Sequence, residues 1–161
     1  MKRFAALFAA LSLALLLLLF AAACSSDTDE TENPGADMTV DEIMAQLIEG
    51  VNSEISVVSI PLDEENFKAY TFIDYIEGAE GVASEAMISS VAHSVVLVRL
   101  PEDADAQAVA EDIEANANPN KWLCVTAEKT EVVSHGNLVL LVMSFEDDAT
   151  TVVDNFNAFC E

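Results

Sequence analysis

The chain has 161 residues, 29 Asp and Glu against 6 Lys and Arg, a formal net charge of −23, a 52% hydrophobic count and three cysteines. That length fits one domain. The acidic balance excludes nucleic acid as a partner, because binding there depends on lysines and arginines that release counterions from phosphates.

Lys2 and Arg3 precede an apolar run over residues 4–23 that only Ser12 interrupts, and Ala21, Ala22 and Ala23 stand directly before Cys24. A basic start, an apolar centre, small residues and then cysteine form a secretory signal pattern. The segment resembles a bacterial lipoprotein signal, with Ala21 where such signals usually carry Leu. The resemblance implies cleavage after residue 23, a diacylglycerol on the Cys24 thiol, and a domain held through that lipid on the outer face of the cell membrane. The same run is about as long as a bilayer-spanning helix; either arrangement places the rest of the chain outside the cytoplasmic membrane.

Residues 25–37 read SSDTDETENPGAD, with five acids and no large apolar side chain. Such a stretch cannot bury enough surface to offset its ordering entropy, so a disordered acidic tether is expected over 24–38. Thirteen residues reach about 45 Å extended and about 20 Å as a flexible coil. No Asp-x-Asp-x-Asp-Gly loop is present, so the acids are assigned no metal.

The folded part is expected to fill residues 39–161. Thr39 and Glu42 have capping-box spacing, and Val40, Ile43, Met44, Leu47, Ile48 and Val51 recur at helical intervals up to Gly50 and Asn52. The opposite face has no lysine or arginine for phospholipid head groups, so this helix is expected to pack on a core rather than on a membrane. Residues 56–60 suit a short strand stopped by Pro61, 62–68 a helical turn, and 69–77 a strand with aromatics on both faces, with Gly78 and Gly81 breaking any regular element after it.

Residues 94–100, SVVLVRL, are nearly continuously apolar and β-branched and predict an inner strand ended by Pro101. Glu102, Asp103 and Asp105 open a helix to about Asn116. A strand over 122–133, a His135-Gly136 turn and a second apolar strand over 138–144 form a hairpin. A last helix over 147–159 carries Val152, Val153, Phe156 and Phe159 as its stripe. The order from residue 94 is a split β-α-β unit lacking its final strand, with 69–77 available as a substitute. The expected fold is a single two-layer α+β domain: a mainly antiparallel sheet and about three helices, in an arrangement related to ferredoxin-like proteins.

The segments AHSVVLVRL (92–100), NPNKWLCVTAEK (118–129) and HGNLVLLVMS (135–144), behind the leader and tether, resemble the domain of unknown function 4358 family of Gram-positive bacterial lipoproteins. The likeness covers about residues 39–159. It implies a cell-envelope lipoprotein and brings no functional residues with it.

No catalytic set stands out. His93 and His135 sit at expected strand edges and read as rim histidines, and no ligand pair has metal-site spacing, so neither metal nor cofactor is assigned. Ser94 follows His93 directly, and neighbours on a strand point to opposite faces, which rules them out as a nucleophile and its base. Cys124 and Cys160 are the two thiols left after lipidation of Cys24. Outside the cell they form either a disulfide or two free thiols, with Cys124 expected to be buried on the face of Trp122. Lys121 and Trp122 beside a Pro-Asn turn form either a ligand lip with cation–π character or a core cap. The expected function is a noncatalytic interaction module with an acidic surface for a cationic envelope protein or peptide. The alternative is a lipoprotein that binds a small molecule or cation for a transporter or sensor.

Overall fold

The computed structural model describes residues 33–52 and 54–161. Thr39 opens the first helix, α1 (Val40–Leu47), with a complete capping box: its hydroxyl accepts from the Glu42 amide at 3.2 Å and the Glu42 carboxylate accepts from the Thr39 amide at 2.9 Å. Two amides that the helix leaves without intrahelical partners are thereby satisfied. Val40, Ile43, Met44 and Leu47 form the buried stripe.

Strand β1 (Val57–Leu62) runs through Pro61, and a proline is tolerated there because β1 is an edge strand. The aromatic segment expected as a strand is instead a short helix, α2 (Phe67–Thr71), and a loop. Phe67 is buried there and meets Tyr75 edge-on at 5.4 Å, and Phe72 closes the helix in the left-handed region. The next strand is β2 (Glu80–Ala86), and it contains Gly81 rather than being broken by it. A Cβ at Gly81 would stand 3.0 Å from Leu62 Cδ1, so the glycine lets the Leu62 side chain lie across the neighbouring strand.

Strand β3 (Ser94–Arg99), helix α3 (Ala106–Asn116), strand β4 (Lys129–His135), strand β5 (Leu138–Ser144) and helix α4 (Glu146–Cys160) complete the fold. The Asp105 side chain caps α3 by accepting from the Ala108 amide. Glu146, Asp147 and Asp148 occupy the first turn of α4, where the helix dipole favours negative charge. Residues 122–128, expected as strand, are loop, and β4 starts only at Lys129.

The five strands form one antiparallel sheet in the order β1-β2-β3-β5-β4. The α+β class, the antiparallel sheet and the small single domain are as expected. The layering is different, because helices cover both faces. On one face Val82, Val95, Leu97, Leu138, Leu140 and Val142 pack against α1 and α4. On the other, Ala83, Val96, Val98, Val139, Leu141 and Met143 pack against α3 and the α2 region. Strand β5 is buried along all seven residues, which requires cover on both sides. The β3-α3-β4 crossover around β5 keeps the expected split β-α-β connection. The place beside β3, however, is taken by β2, which precedes it in sequence, and α4 lies on the face opposite α3.

Packing also begins before residue 39. Arg99 donates to the carbonyls of Gly35 and Met38 at 2.8 and 2.7 Å, and Gly35 lies against Phe159 and Ile43. The last residues assigned to the tether are therefore part of the domain. No helix among the described residues is long and apolar enough to cross a membrane.

Candidate functional site

Glu85 and Ser94 face each other across the β2–β3 ladder, so both side chains project from the α3 face of the sheet. The Ser94 hydroxyl donates to the Glu85 carboxylate. Into this pair the loop before β4 sends Lys121, whose Nζ lies 2.6 Å from Glu85 Oε1 and 3.0 Å from Ser94 Oγ. The ammonium also stands 5.2 Å from the ring centroids of Tyr70 and Trp122, a cation–π distance on two sides. The Lys121 and Glu85 side chains are only 16% and 12% exposed. Burial, with the Glu85 charge adding to it, pushes the Tyr70 phenol above its ordinary value.

Lys121 and Trp122 are thus together, as expected, but the lysine turns inward and the indole packs on the core under α3. Ser94 is fully buried, out of reach of a substrate, and an ammonium held against a carboxylate is not a base. The cluster fastens a loop to the sheet.

Across the sheet, His93 is buried rather than at a rim. Its Nδ1 lies 2.8 Å from Ser144 Oγ, and its Nε2 has no hydrogen-bond partner among the described residues. Burial pushes the imidazole below the ordinary histidine value, against a weaker opposing pull from the Asp148 and Glu85 charges. Asp148 accepts from the Asn52 amide at 3.1 Å. His135 is exposed at the end of β4. Among the described residues no three His, Cys, Asp or Glu side chains gather as a metal site.

Cys124 and Cys160 are both free, so the disulfide alternative is not the state of the structure. Cys124 is exposed in the loop before β4, not buried beside Trp122, because 122–128 lack the strand alternation that placed them on one face. Cys160 ends α4, next to Phe159 against Gly35, and burial pushes its thiol up to about 11. Cys24 lies outside the described residues. Sequence reasoning missed Glu85 and Ser94 as partners of Lys121; the register that aligns them is visible only in the sheet.

Depressions of about 300 to 440 Å³ lie along the helices, among them one between α3 and residues 73–76 lined by Ile73, Tyr75, Val109, Asp74, Asp105 and Asp112. They are open to solvent. No protein family, no curated protein and no solved structure compared with this chain matches it.

Proposed function

We propose that this chain is a lipid-anchored extracytoplasmic protein, attached through Cys24 and similar to the domain of unknown function 4358 lipoproteins. Its folded domain acts as a noncatalytic interaction module for a cationic protein or peptide. One observation carries the reading: each lysine and arginine among the described residues is already paired. Lys68 is held by Asp74, Arg99 by Glu80, Lys121 by Glu85 and Lys129 by Glu131. Of the 29 acids only Asp27, Asp29, Glu30 and Glu32 fall outside the described residues. The domain surface therefore offers a large excess of carboxylates and no free ammonium or guanidinium among the described residues, a field that speeds encounter with a positive partner and repels a negative one.

A pocket for a small ligand is less well supported, since the depressions are open to solvent rather than enclosed. Polylysine binding to the full chain in lipid nanodiscs tests the proposal. Binding should be present at low salt and fall steeply at several times physiological ionic strength. Salt-insensitive binding of a neutral metabolite, with none of polylysine, would refute it. Mass analysis of the membrane-extracted chain should show the lipid on Cys24 and none after Cys24→Ala.

A further inference from the structure

Six large apolar side chains are exposed among the described residues, and they are unevenly placed. Leu123 is 97% exposed, Met87 67% and Ile88 59%, and Val58 and Phe145 are exposed with them. These five share the end of the sheet where β1, β3 and β4 begin and β2 and β5 finish; only Tyr75 lies elsewhere. The loops that carry them are fastened. The Met87 amide donates to the Ser56 carbonyl, Lys121 grips Glu85, and the Glu146 amide donates to the Glu128 carboxylate. A leucine almost wholly in water does nothing for the core, and apolar side chains gathered at one end of the sheet on fixed loops offer a contact surface.

Charge selects the occupant. Glu54, Glu128, Glu146 and Asp147 are exposed around these loops. The nearby cations are spent, Lys121 on Glu85 and Lys129 on Glu131. An anionic bilayer would be repelled, and a second copy would set the same acids against themselves. The chain, moreover, enters the domain at the opposite end, where Arg99 binds the carbonyls of Gly35 and Met38. The six residues of β3 separate the two ends by about 20 Å.

We infer that the loop tips at Met87, Ile88 and Leu123, with their rim of acids, dock an apolar segment of a partner protein flanked by lysine or arginine. This inference rests on the acidic-module reading and gives that module a face, turned away from the end at which the chain enters.

The test uses the full chain in nanodiscs and a synthetic amphipathic peptide of lysine and leucine, with polylysine as control. The variant carrying M87S, I88S and L123S alters only exposed side chains. It should bind the lysine–leucine peptide about tenfold more weakly, or worse, while its polylysine affinity stays unchanged. In parallel, photoleucine in place of Leu123 should crosslink to the peptide. Unchanged binding of the peptide by the variant, with polylysine still bound, overturns the docking face and leaves the module reading standing. Loss of both ligands from the parent chain at low salt overturns both. Crosslinking into lipid acyl chains, or into a second copy, overturns the docking face in favour of that other occupant.

Discussion

Replacing Lys121 by methionine keeps the stem of the side chain and removes its charge from between Glu85, Ser94 and two aromatic rings. At the observed 2.6 Å and an effective dielectric constant near 20, the ion pair's attraction is about 6 kcal/mol. Lost hydration of the two ions offsets most of it, so the pair contributes little net stability. Deleting one partner is another matter, because the Glu85 carboxylate stays desolvated with only the Ser94 hydroxyl to hold it. For a fully buried pair that costs about 3–5 kcal/mol. With 16% and 12% of the two side chains exposed, water reaches the site in part, and about 3 kcal/mol is expected. Adding Glu85→Leu removes the stranded charge and should recover about 2 kcal/mol, a coupling that a double-mutant cycle measures directly. Urea denaturation gives each difference from the midpoint, provided the slope is unchanged. A loss under about 1 kcal/mol for Lys121→Met, or strict additivity in the cycle, would show that the loop does not depend on this pair.

Other consequences arise from the same packing. Because burial holds the folded-state His93 below its ordinary 6.5, the unfolded chain takes up the proton first. Stability should be fully present above about pH 6.5 and fall below it, by at most about 1.4 kcal/mol per pH unit, until the folded imidazole itself titrates. His93→Phe should flatten that part of the pH profile of the denaturation midpoint, and an unchanged slope would show that His93 is not its source. Gly35→Ala would place a Cβ 2.7 Å from Phe159 Cζ in a residue with φ +68; a loss of about 2 kcal/mol is expected in calorimetry, and a neutral result would contradict the close packing there. A thiol-specific reagent should label Cys124 quickly and Cys160 slowly, since the second is half-buried with its thiol pushed up to about 11; a chain that labels at neither position without reductant would be bridged.

Elements with local signals were legible from sequence, and those fixed by distant neighbours were not. Thr39 and Glu42 sit three residues apart, and their capping box forms as the spacing predicts. The runs at 94–99 and 138–144 became the central strands for the reason their composition suggests. The same runs also bear on the layering, since strands apolar on nearly every residue need cover on both faces and so place helices on both sides. Residues 69–77 misled because alternating aromatics suit a strand, yet what decides there is Phe67 entering the core from a five-residue helix. Gly81 reads as a breaker unless Leu62, on the next strand, is known to cross it. The Glu85–Ser94–Lys121 cluster joins residues up to 36 positions apart, through a register and a loop that no local pattern contains.

The acids that follow β3 and β5 have a further consequence, felt before the protein is folded. Strands β3 and β5 are the kind of short β-formers of low charge that nucleate cross-β aggregates when exposed. Each is succeeded almost at once by an interruption: Pro101, Glu102 and Asp103 after β3, and Glu146, Asp147 and Asp148 after β5. Stacking such segments in register would bring those like charges together at every layer of about 4.8 Å, so they act as gatekeepers for the unfolded chain. At the sheet's own margins Pro61 in β1 and the Lys129–Glu131 pair in β4 similarly discourage the addition of a foreign strand. With its two most aggregation-prone strands at the centre of the sheet and charges beside them in sequence, the chain gives cross-β stacking little to grow from, either before or after folding.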